Sequence, residues 1–230
     1  MKAIDFTVSE HNSASIVFLL WLSKKAERDL TMSKLEWVKK IVIIVFGSIV
    51  AASGITLALC AGFGGATLAV LWQGISISFH ISIGMASMIV AVVMIIFVFF
   101  YDRSQLHIGT VLYQIVYSLC VDLFANAHIY SRHMWINALL MLLGIMLFAI
   151  GTGFYAAASL GRGSYEALTF SLAEKNGWQV KVVRSLLDAS MVIIGVLLGG
   201  TFGICTIVTI LISGPIIQLT ASKTKAVFHV

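Results

Sequence analysis

Residues 46–64 read FGSIVAASGITLALCAGFG, an apolar run that ends in a glycine-rich turn. Residues 143–161, LGIMLFAIGTGFYAAASLG, repeat this pattern at an offset of 97 positions. Four aligned pairs share the same small residue: Gly47 with Gly144, Gly54 with Gly151, Ala61 with Ala158, and Gly64 with Gly161. Downstream, Thr110 aligns with Thr206. Isolated matches of glycine and alanine are common in membrane helices, but the shared order and spacing predict two homologous halves.

The composition excludes a soluble domain. Hydrophobic residues make up 60% of the chain and charged residues only 11%, and a soluble fold with this balance would expose large apolar patches. Several apolar stretches reach the length of about 18 residues that a helix needs to cross a bilayer. Alternation of apolar and polar residues at period two is missing, which argues against an outer-membrane barrel. The sequence therefore predicts an all-α polytopic membrane protein.

We predict six transmembrane helices and two shorter helical segments. The expected spans are residues 38–60, 80–101, 106–125, 135–157, 179–199 and 202–220. The short segments, residues 65–77 and 163–175, would reach only about 20 Å as helices, so they are predicted to be re-entrant or interfacial. This gives a first membrane repeat at 38–127 and a second at 128–220.

The distribution of charge indicates orientation and not nucleic-acid binding. The net charge is +5, but seven of the fifteen Lys and Arg residues precede position 41 and most others flank apolar segments. With six spans and both termini in the cytoplasm, Arg132 is the only one of the Lys and Arg residues that is expected on the outer side. Three spans in each half place the second half in the membrane in the opposite orientation, so the repeat is inverted. If both short segments cross the membrane instead, the protein has eight spans and a parallel repeat. The distribution of Lys and Arg between the two sides of the membrane hardly distinguishes this arrangement from six spans.

The first 37 residues are predicted to be a cytoplasmic segment. Its apolar run, residues 14–22, is too short to span, and Lys24, Lys25 and Arg28 follow it, as in an amphipathic helix at the membrane surface. A disordered tail with a short apolar patch is the alternative. Residues 221–230 are predicted to be a cytoplasmic tail.

Four motifs resemble the YczE/YyaS/YitT family of bacterial membrane proteins. They are AGFGGATLAVLWQGIS (61–76), SLGRGSYEAL (159–168), VVRSLLDASMVIIGVLLGGTFGICT (182–206) and SGP (213–215). The resemblance covers roughly residues 40–220 and implies a membrane location and the family's fold. Family members often carry Gly-Pro-Trp-Asp in the first turn, whereas this chain has Ala66-Thr67-Leu68-Ala69. The first acidic position is thus Ala69, while Glu166 remains in the second half.

Polar residues at the two glycine-rich turns and on the fifth span are the candidate site. A short helix that begins at such a turn directs the positive end of its dipole at an anionic group, and Ser164 is the expected N-cap. Arg184 and Asp188 lie four residues apart, on one face of the helix. They form either part of a substrate or proton path or an ion pair within the helix whose charges neutralise each other. The predicted substrate-binding residues are Gly62, Gly64, Gly65, Thr67, Gln73, Arg162, Ser164, Tyr165, Glu166, Arg184 and Asp188.

These features favour a small secondary transporter of a small molecule or ion, in the bacterial inner membrane, that works by alternating access between inverted repeats. The alternative is a substrate-binding or accessory subunit of a larger membrane complex. No catalytic constellation, cofactor motif or metal-ligand spacing is apparent, so neither an enzyme nor a cofactor is predicted. A small-residue face on the first span (Gly47, Ser48, Ala51, Ala52, Gly54) and another on the fourth (Gly144, Gly151) are expected to join the two halves, or else to form a homodimer.

Overall fold

The computed structural model of the chain describes residues 33–126 and 131–228. Within these ranges all regular secondary structure is helical. The eight α-helices of the described ranges are α1 (Lys34–Cys60), α2 (Thr67–Phe79), α3 (Ile83–Tyr101), α4 (Ile108–Ala125), α5 (Met134–Ala157), α6 (Ser164–Asn176), α7 (Val180–Leu197) and α8 (Ile204–Phe228). A 3-10 helix, Arg103–Gln105, lies between α3 and α4.

The chain divides into two units after Lys39, and the structure describes the first unit from Ser33 onward. Here α1 begins in a capping box, because the Ser33 N–H donates to Glu36 Oε2 (2.9 Å) and the Glu36 N–H donates to Ser33 Oγ (3.2 Å). The amphipathic helix predicted within residues 1–37 falls on residues 14–28, outside the described ranges. Residues 40–230 form the second unit, which contains helices α2–α8.

Five helices of the described ranges, α1, α3, α4, α5 and α8, are long and apolar enough to cross a membrane. The prediction of a multi-pass helical membrane protein is therefore confirmed. Helix α8 continues to Phe228, through most of the tail predicted at 221–230. The remaining predicted span, 179–199, corresponds to α7, which is 18 residues long but contains three charged residues, Lys181, Arg184 and Asp188. Length and composition alone therefore do not mark α7 as a span.

The two short predicted segments are helices α2 and α6, of 13 residues each. At 1.5 Å per residue each is about 20 Å long. Both end in a left-handed C-cap residue, His80 after α2 (φ 54°) and Gly177 after α6 (φ 65°), which stand 97 positions apart.

Helices α1 and α5 cross at the small residues that the sequence singles out. A Cβ added to Gly47 would lie 2.7 Å from the Gly151 carbonyl oxygen, and one added to Gly144 would lie 2.6 Å from that of Gly54. The two backbones are thus in direct contact, which only residues without a side chain allow. Gly47 meets Gly151 while Gly54 meets Gly144, so the helices run antiparallel. The expectation that these two small-residue faces cross closely is confirmed.

Contacts between residues 38–127 and residues 128–220 come in pairs whose members are about 97 positions apart. The Thr206 hydroxyl donates to the Gly65 carbonyl, and the Thr110 hydroxyl donates to the Arg162 carbonyl (2.7 Å). Each threonine oxygen also accepts from the backbone N–H three residues earlier, at 3.3 and 3.4 Å respectively.

A further pair joins the ends of the short helices to their neighbours. Ser78 at the end of α2 donates to the Leu198 carbonyl (2.9 Å), and Lys175 at the end of α6 donates to the Tyr101 carbonyl. Ser78 and Lys175 are 97 positions apart, as are Tyr101 and Leu198. Helix α2 accordingly packs against α7, and α6 packs against α3.

Candidate functional site

A cavity of about 320 Å³ lies where the first turns of α2 and α6 meet α4, α7 and α8. The turns that lead into α2 and α6 depend on glycine. Gly64 (φ 88°) and Gly161 (φ 110°) adopt a backbone conformation that L side chains rarely take. A Cβ on Gly161 would also lie 2.6 Å from Thr110 Oγ1, so the turn could not pack as it does with a larger residue.

The first turns of α2 and α6 present backbone donors to the cavity. The first intrahelical hydrogen bonds run from the Val70 N–H to the Ala66 carbonyl and from the Ala167 N–H to the Gly163 carbonyl. Neither N-cap residue, Ala66 or Gly163, supplies a side-chain acceptor. The preceding N–H groups of both helices therefore have no capping side chain, and the helix dipoles make this region favourable for negative charge.

The prediction that Ser164 caps α6 is wrong. The N-cap is Gly163, and Ser164 is the first helical residue. The Ser164 hydroxyl points instead to Gln114 Oε1 on α4, at 3.5 Å. Gln114 in turn donates to Ser118 (2.9 Å), so it both lines the cavity and joins neighbouring turns of α4.

Asp188 connects α7 to both short helices. Its Oδ1 accepts hydrogen bonds from the Thr67 hydroxyl (2.9 Å) and from the Tyr165 hydroxyl (2.6 Å). The ion pair with Arg184 that the sequence leaves open is not formed among the described residues. Arg184 lies instead with its guanidinium carbon 5.6 Å from the Tyr165 ring centroid, and it lines the cavity.

Glu166 lies in the first turn of α6 and also lines the cavity. Its carboxylate folds back towards Gly163, where any added Cβ would overlap Oε2. Within residues 33–126 and 131–228 this carboxylate has neither a hydrogen-bond donor nor an ion-pair partner. The corresponding position of α2 is Ala69, so the acidic group is present at one helix start and missing at the other.

Aromatic rings form one wall of the cavity. Trp72 on α2 packs edge-on against Tyr117 on α4 (5.9 Å between centroids). Tyr117 stacks on Tyr113 (5.3 Å), and Tyr113 stacks on Tyr155 of α5 (4.1 Å). Trp72 Nε1 and the Tyr117 hydroxyl are buried, and neither has a hydrogen-bond partner in the described part of the chain.

Six of the eleven residues predicted from the sequence line this cavity: Thr67, Ser164, Tyr165, Glu166, Arg184 and Asp188. The other five lie outside it. Gly62, Gly64 and Gly65 shape the turn before α2. Gln73 accepts hydrogen bonds from the Thr201 N–H (2.9 Å) and hydroxyl (2.7 Å), and thus anchors the α7–α8 turn.

The side chain of Arg162 is likewise directed away from the cavity. Its guanidinium carbon lies 3.5 Å from the centroid of the Phe170 ring, and its Nη1 lies 3.9 Å from Glu174 Oε1. Arg162 therefore contributes to the site only through its carbonyl, which holds Thr110.

Sequence reasoning missed several lining residues. On α7, Lys181 and Ser185 line the cavity beside the predicted Arg184 and Asp188, and their spacing of three to four residues from these two places them on the same face of the helix. The aromatic residues Tyr113 and Tyr117 are four apart on α4, a signal of the same kind. No group of three potential metal ligands occurs among the residues that the structure describes.

The chain is similar to a known protein family and to two curated proteins. A family model described as a family of unknown function, DUF6198, matches residues 38–222. An uncharacterized protein of Haemophilus influenzae is 28% identical over 180 residues, which cover 78% of this chain and 82% of that protein. The uncharacterized membrane protein YczE of Bacillus subtilis is 27% identical over 143 residues, which cover 62% of this chain and 66% of YczE. No solved structure matches the chain significantly.

The family match takes in every residue of the cavity wall, from Ile55 to Ile217. It agrees with the resemblance to YczE that the turn motifs show. This chain therefore belongs to DUF6198, a family of unknown function, and is similar to the membrane protein YczE.

Proposed function

We propose that the protein is a small secondary transporter of a small solute, with six transmembrane helices in two inverted repeats that alternate in exposing the cavity to either side of the membrane. The observation that carries this proposal is the placement of the cavity. It lies between the first turns of α2 and α6, two short helices that occupy equivalent positions in the two halves. Broken or short helices that meet at a repeat interface are typical of transporter sites.

The antiparallel crossing of α1 and α5 supports an inverted repeat. In a parallel repeat, two equivalent helices would run in the same direction, whereas the glycine contacts require opposite directions. The matched hydrogen bonds of Thr110 and Thr206 support equivalence of the halves. With α2 and α6 re-entrant, both termini lie on the cytoplasmic side of a bacterial inner membrane, in agreement with the positive charges.

Helix α7 is the sixth span in this proposal, despite its charges. Arg184 and Asp188 face the cavity, where protein groups surround them. Large apolar residues of α7, Leu186, Ile193 and Leu197, are 59%, 60% and 80% exposed, as expected for a lipid-facing surface. A spanning helix carries charge in this way when the charged face points into the protein.

The accessory-subunit alternative predicts a small-residue patch free for a partner. The small residues of α1 and α5 are instead engaged with each other. The structure offers no specific observation in favour of this second function.

Cross-linking combined with uptake tests the transporter proposal. In alternating access, one contact would break when the cavity opens to one side of the membrane, and the other when it opens to the opposite side. These contacts are Ser78 with Leu198 and Tyr101 with Lys175. Two double-cysteine variants, Ser78→Cys with Leu198→Cys and Tyr101→Cys with Lys175→Cys, are made in a background without Cys60, Cys120 and Cys205 and reconstituted in liposomes. Uptake from a mixture of amino acids, organic acids and sugars is measured by mass spectrometry.

Each link, formed with a cleavable bifunctional thiol reagent, is expected to stop uptake, and reduction is expected to restore it. The single-cysteine variants treated with the same reagent are the controls. Uptake that continues through both links would contradict alternating access and indicate a static pore. Absence of uptake by the unlinked protein would contradict transport by the isolated chain.

A further inference from the structure

Two buried hydrogen-bonding groups in the cavity wall lack a partner. Trp72 and Tyr117 are 7% and 2% exposed, and in the described ranges neither Trp72 Nε1 nor the Tyr117 hydroxyl has a hydrogen-bond partner. Such groups are normally satisfied in folded proteins, since leaving them unpaired after burial is unfavourable. The indole N–H can only donate. A bound molecule with hydrogen-bond acceptors would satisfy it.

The charges of the cavity wall balance, yet three of the four have no direct partner among the described residues. Lys181 and Arg184 are cationic, and Glu166 and Asp188 are anionic. Asp188 is held by the hydroxyls of Thr67 and Tyr165. In the described part of the chain, Glu166 has no hydrogen bond or ion pair, and neither do the cations of Lys181 and Arg184. Of these two cations Lys181 is exposed and Arg184 is partly buried. A ligand that carries one charge of each sign would pair Glu166 and Arg184 and leave the site neutral.

Glu166 and Arg184 have different surroundings. Glu166 lies near the tyrosines of the aromatic wall, because a Cβ built on Gly163 would touch Glu166 Oε2 and lie 3.7 Å from Tyr155 Cε1, and Tyr155 stacks on the cavity-lining Tyr113. A carboxylate close to tyrosine rings is favourable for an ammonium group. Arg184 lies one turn from Asp188, which holds Thr67 at the uncapped start of α2. A guanidinium and free backbone N–H groups are favourable for a carboxylate.

We propose that the cavity binds a small zwitterion of the amino acid or betaine class, with its ammonium group between Glu166 and the tyrosines of the aromatic wall and its carboxylate near Arg184, the Trp72 indole N–H and the first turn of α2. This inference rests on the site of the proposed transporter and names its substrate class. The volume of about 320 Å³ suits a small organic molecule. The absence of an acidic residue at Ala69 leaves the start of α2 available for the ligand's own carboxylate.

Binding by a matched set of probes tests the proposal. The full chain, purified in lipid nanodiscs, is titrated calorimetrically with L-leucine, with 3-methylbutylamine, which lacks the carboxylate, and with 4-methylpentanoate, which lacks the ammonium group. Glycine betaine is the second zwitterion. We expect at least one zwitterion to bind about tenfold or more tightly than both half-ligands, because each charged hydrogen bond contributes to affinity.

Paired substitutions connect this binding to the cavity. Glu166→Gln and Arg184→Gln are each expected to weaken zwitterion binding about tenfold or more. Glu174→Gln and Arg162→Gln remove the same charges outside the cavity and are expected to leave it unchanged. Where a glutamine variant fails to fold, as judged by its thermal unfolding, Glu166→Asp or Arg184→Lys takes its place, since each moves the charge without removing it.

Either half-ligand binding as tightly as the zwitterions would overturn the proposal and indicate a simple anion or cation site. Failure of both zwitterions to bind would overturn it as well, as would equal losses in the cavity variants and their controls. These outcomes are independent of transport. Zwitterion binding without uptake contradicts the transporter function alone, whereas uptake of another solute without zwitterion binding contradicts this inference alone.

Discussion

At the scale of single residues, Asp188 has the most consequential contacts in the site. One carboxylate oxygen accepts hydrogen bonds from Thr67 and Tyr165, residues that begin two different short helices. Hydrogen bonds to a charged group are worth about 1.5–3 kcal/mol when partly buried. Asp188 therefore fixes the positions of α2 and α6 relative to α7, and with them the shape of the cavity.

Removing either hydroxyl is expected to destabilise the protein. Thr67→Val and Tyr165→Phe each delete one donor to Asp188 while keeping the side-chain shape, at an expected cost of about 1–3 kcal/mol each. Because both donors share one oxygen, the double variant should not show the sum of the two losses. Unfolding by SDS in mixed micelles measures the three free energies.

Tyr101→Phe is the matched control for this series. Its hydroxyl accepts a hydrogen bond only from exposed Asn176 (3.1 Å) among the described residues, so little change is expected. Equal effects of Tyr101→Phe and Tyr165→Phe would contradict the structural role of Asp188.

At the scale of the elements, the α1–α5 crossing is decided by glycines whose missing side chains let the backbones touch. Gly151→Ala would place a methyl group against the Ala51 backbone nitrogen of α1 and 2.6 Å from the Gly47 carbonyl oxygen. Backbone cannot move aside as a flexible side chain can, so we expect a destabilisation of about 1–3 kcal/mol. The midpoint of thermal unfolding in detergent should fall.

Gly214→Ala is the matched control for the crossing, because a Cβ there would have no heavy atom within 4 Å. Gly214 lies inside α8, where alanine is the better helix former by about 1 kcal/mol. This variant should be neutral or more stable. A loss of stability at Gly214 equal to that at Gly151 would show that the close crossing does not limit stability.

At the scale of the whole molecule, the antiparallel crossing predicts which ends of the helices share a side of the membrane. With six spans, Ser78 and His133 lie outside and Ser104 lies inside. With eight spans these assignments are reversed. Single cysteines at these positions, in a cysteine-free background, are labelled on intact cells with a membrane-impermeant maleimide.

We expect Ser78→Cys and His133→Cys to react on intact cells, and Ser104→Cys to react only after lysis. Both outer positions are exposed in the structure, so a lack of reaction would not be due to burial. The reverse pattern would contradict the six-span arrangement and, with it, the inverted repeat on which alternating access depends.

Much of this fold follows from local features of the sequence. The length of an apolar run fixes where a helix can span, the small residues of 46–64 and 143–161 mark the seam between α1 and α5, and the glycines at 64 and 161 mark the turns. These features depend on residues close together in the chain, so they can be read without the tertiary structure. The same local reasoning placed Arg184 and Asp188 on one face of α7.

The composition of the cavity was decided only by the tertiary structure. Thr67 and Asp188 are 121 residues apart, and nothing in either segment indicates that they bond to each other and not to local partners. The same is true of the unpartnered groups of Trp72 and Tyr117, since burial without a partner depends on what the other helices leave empty. The sequence by itself determined helices, turns and the α1–α5 seam because these follow from local sterics and hydrophobicity. The pairing of distant polar groups required the fold, because the packing of all helices determines which groups meet.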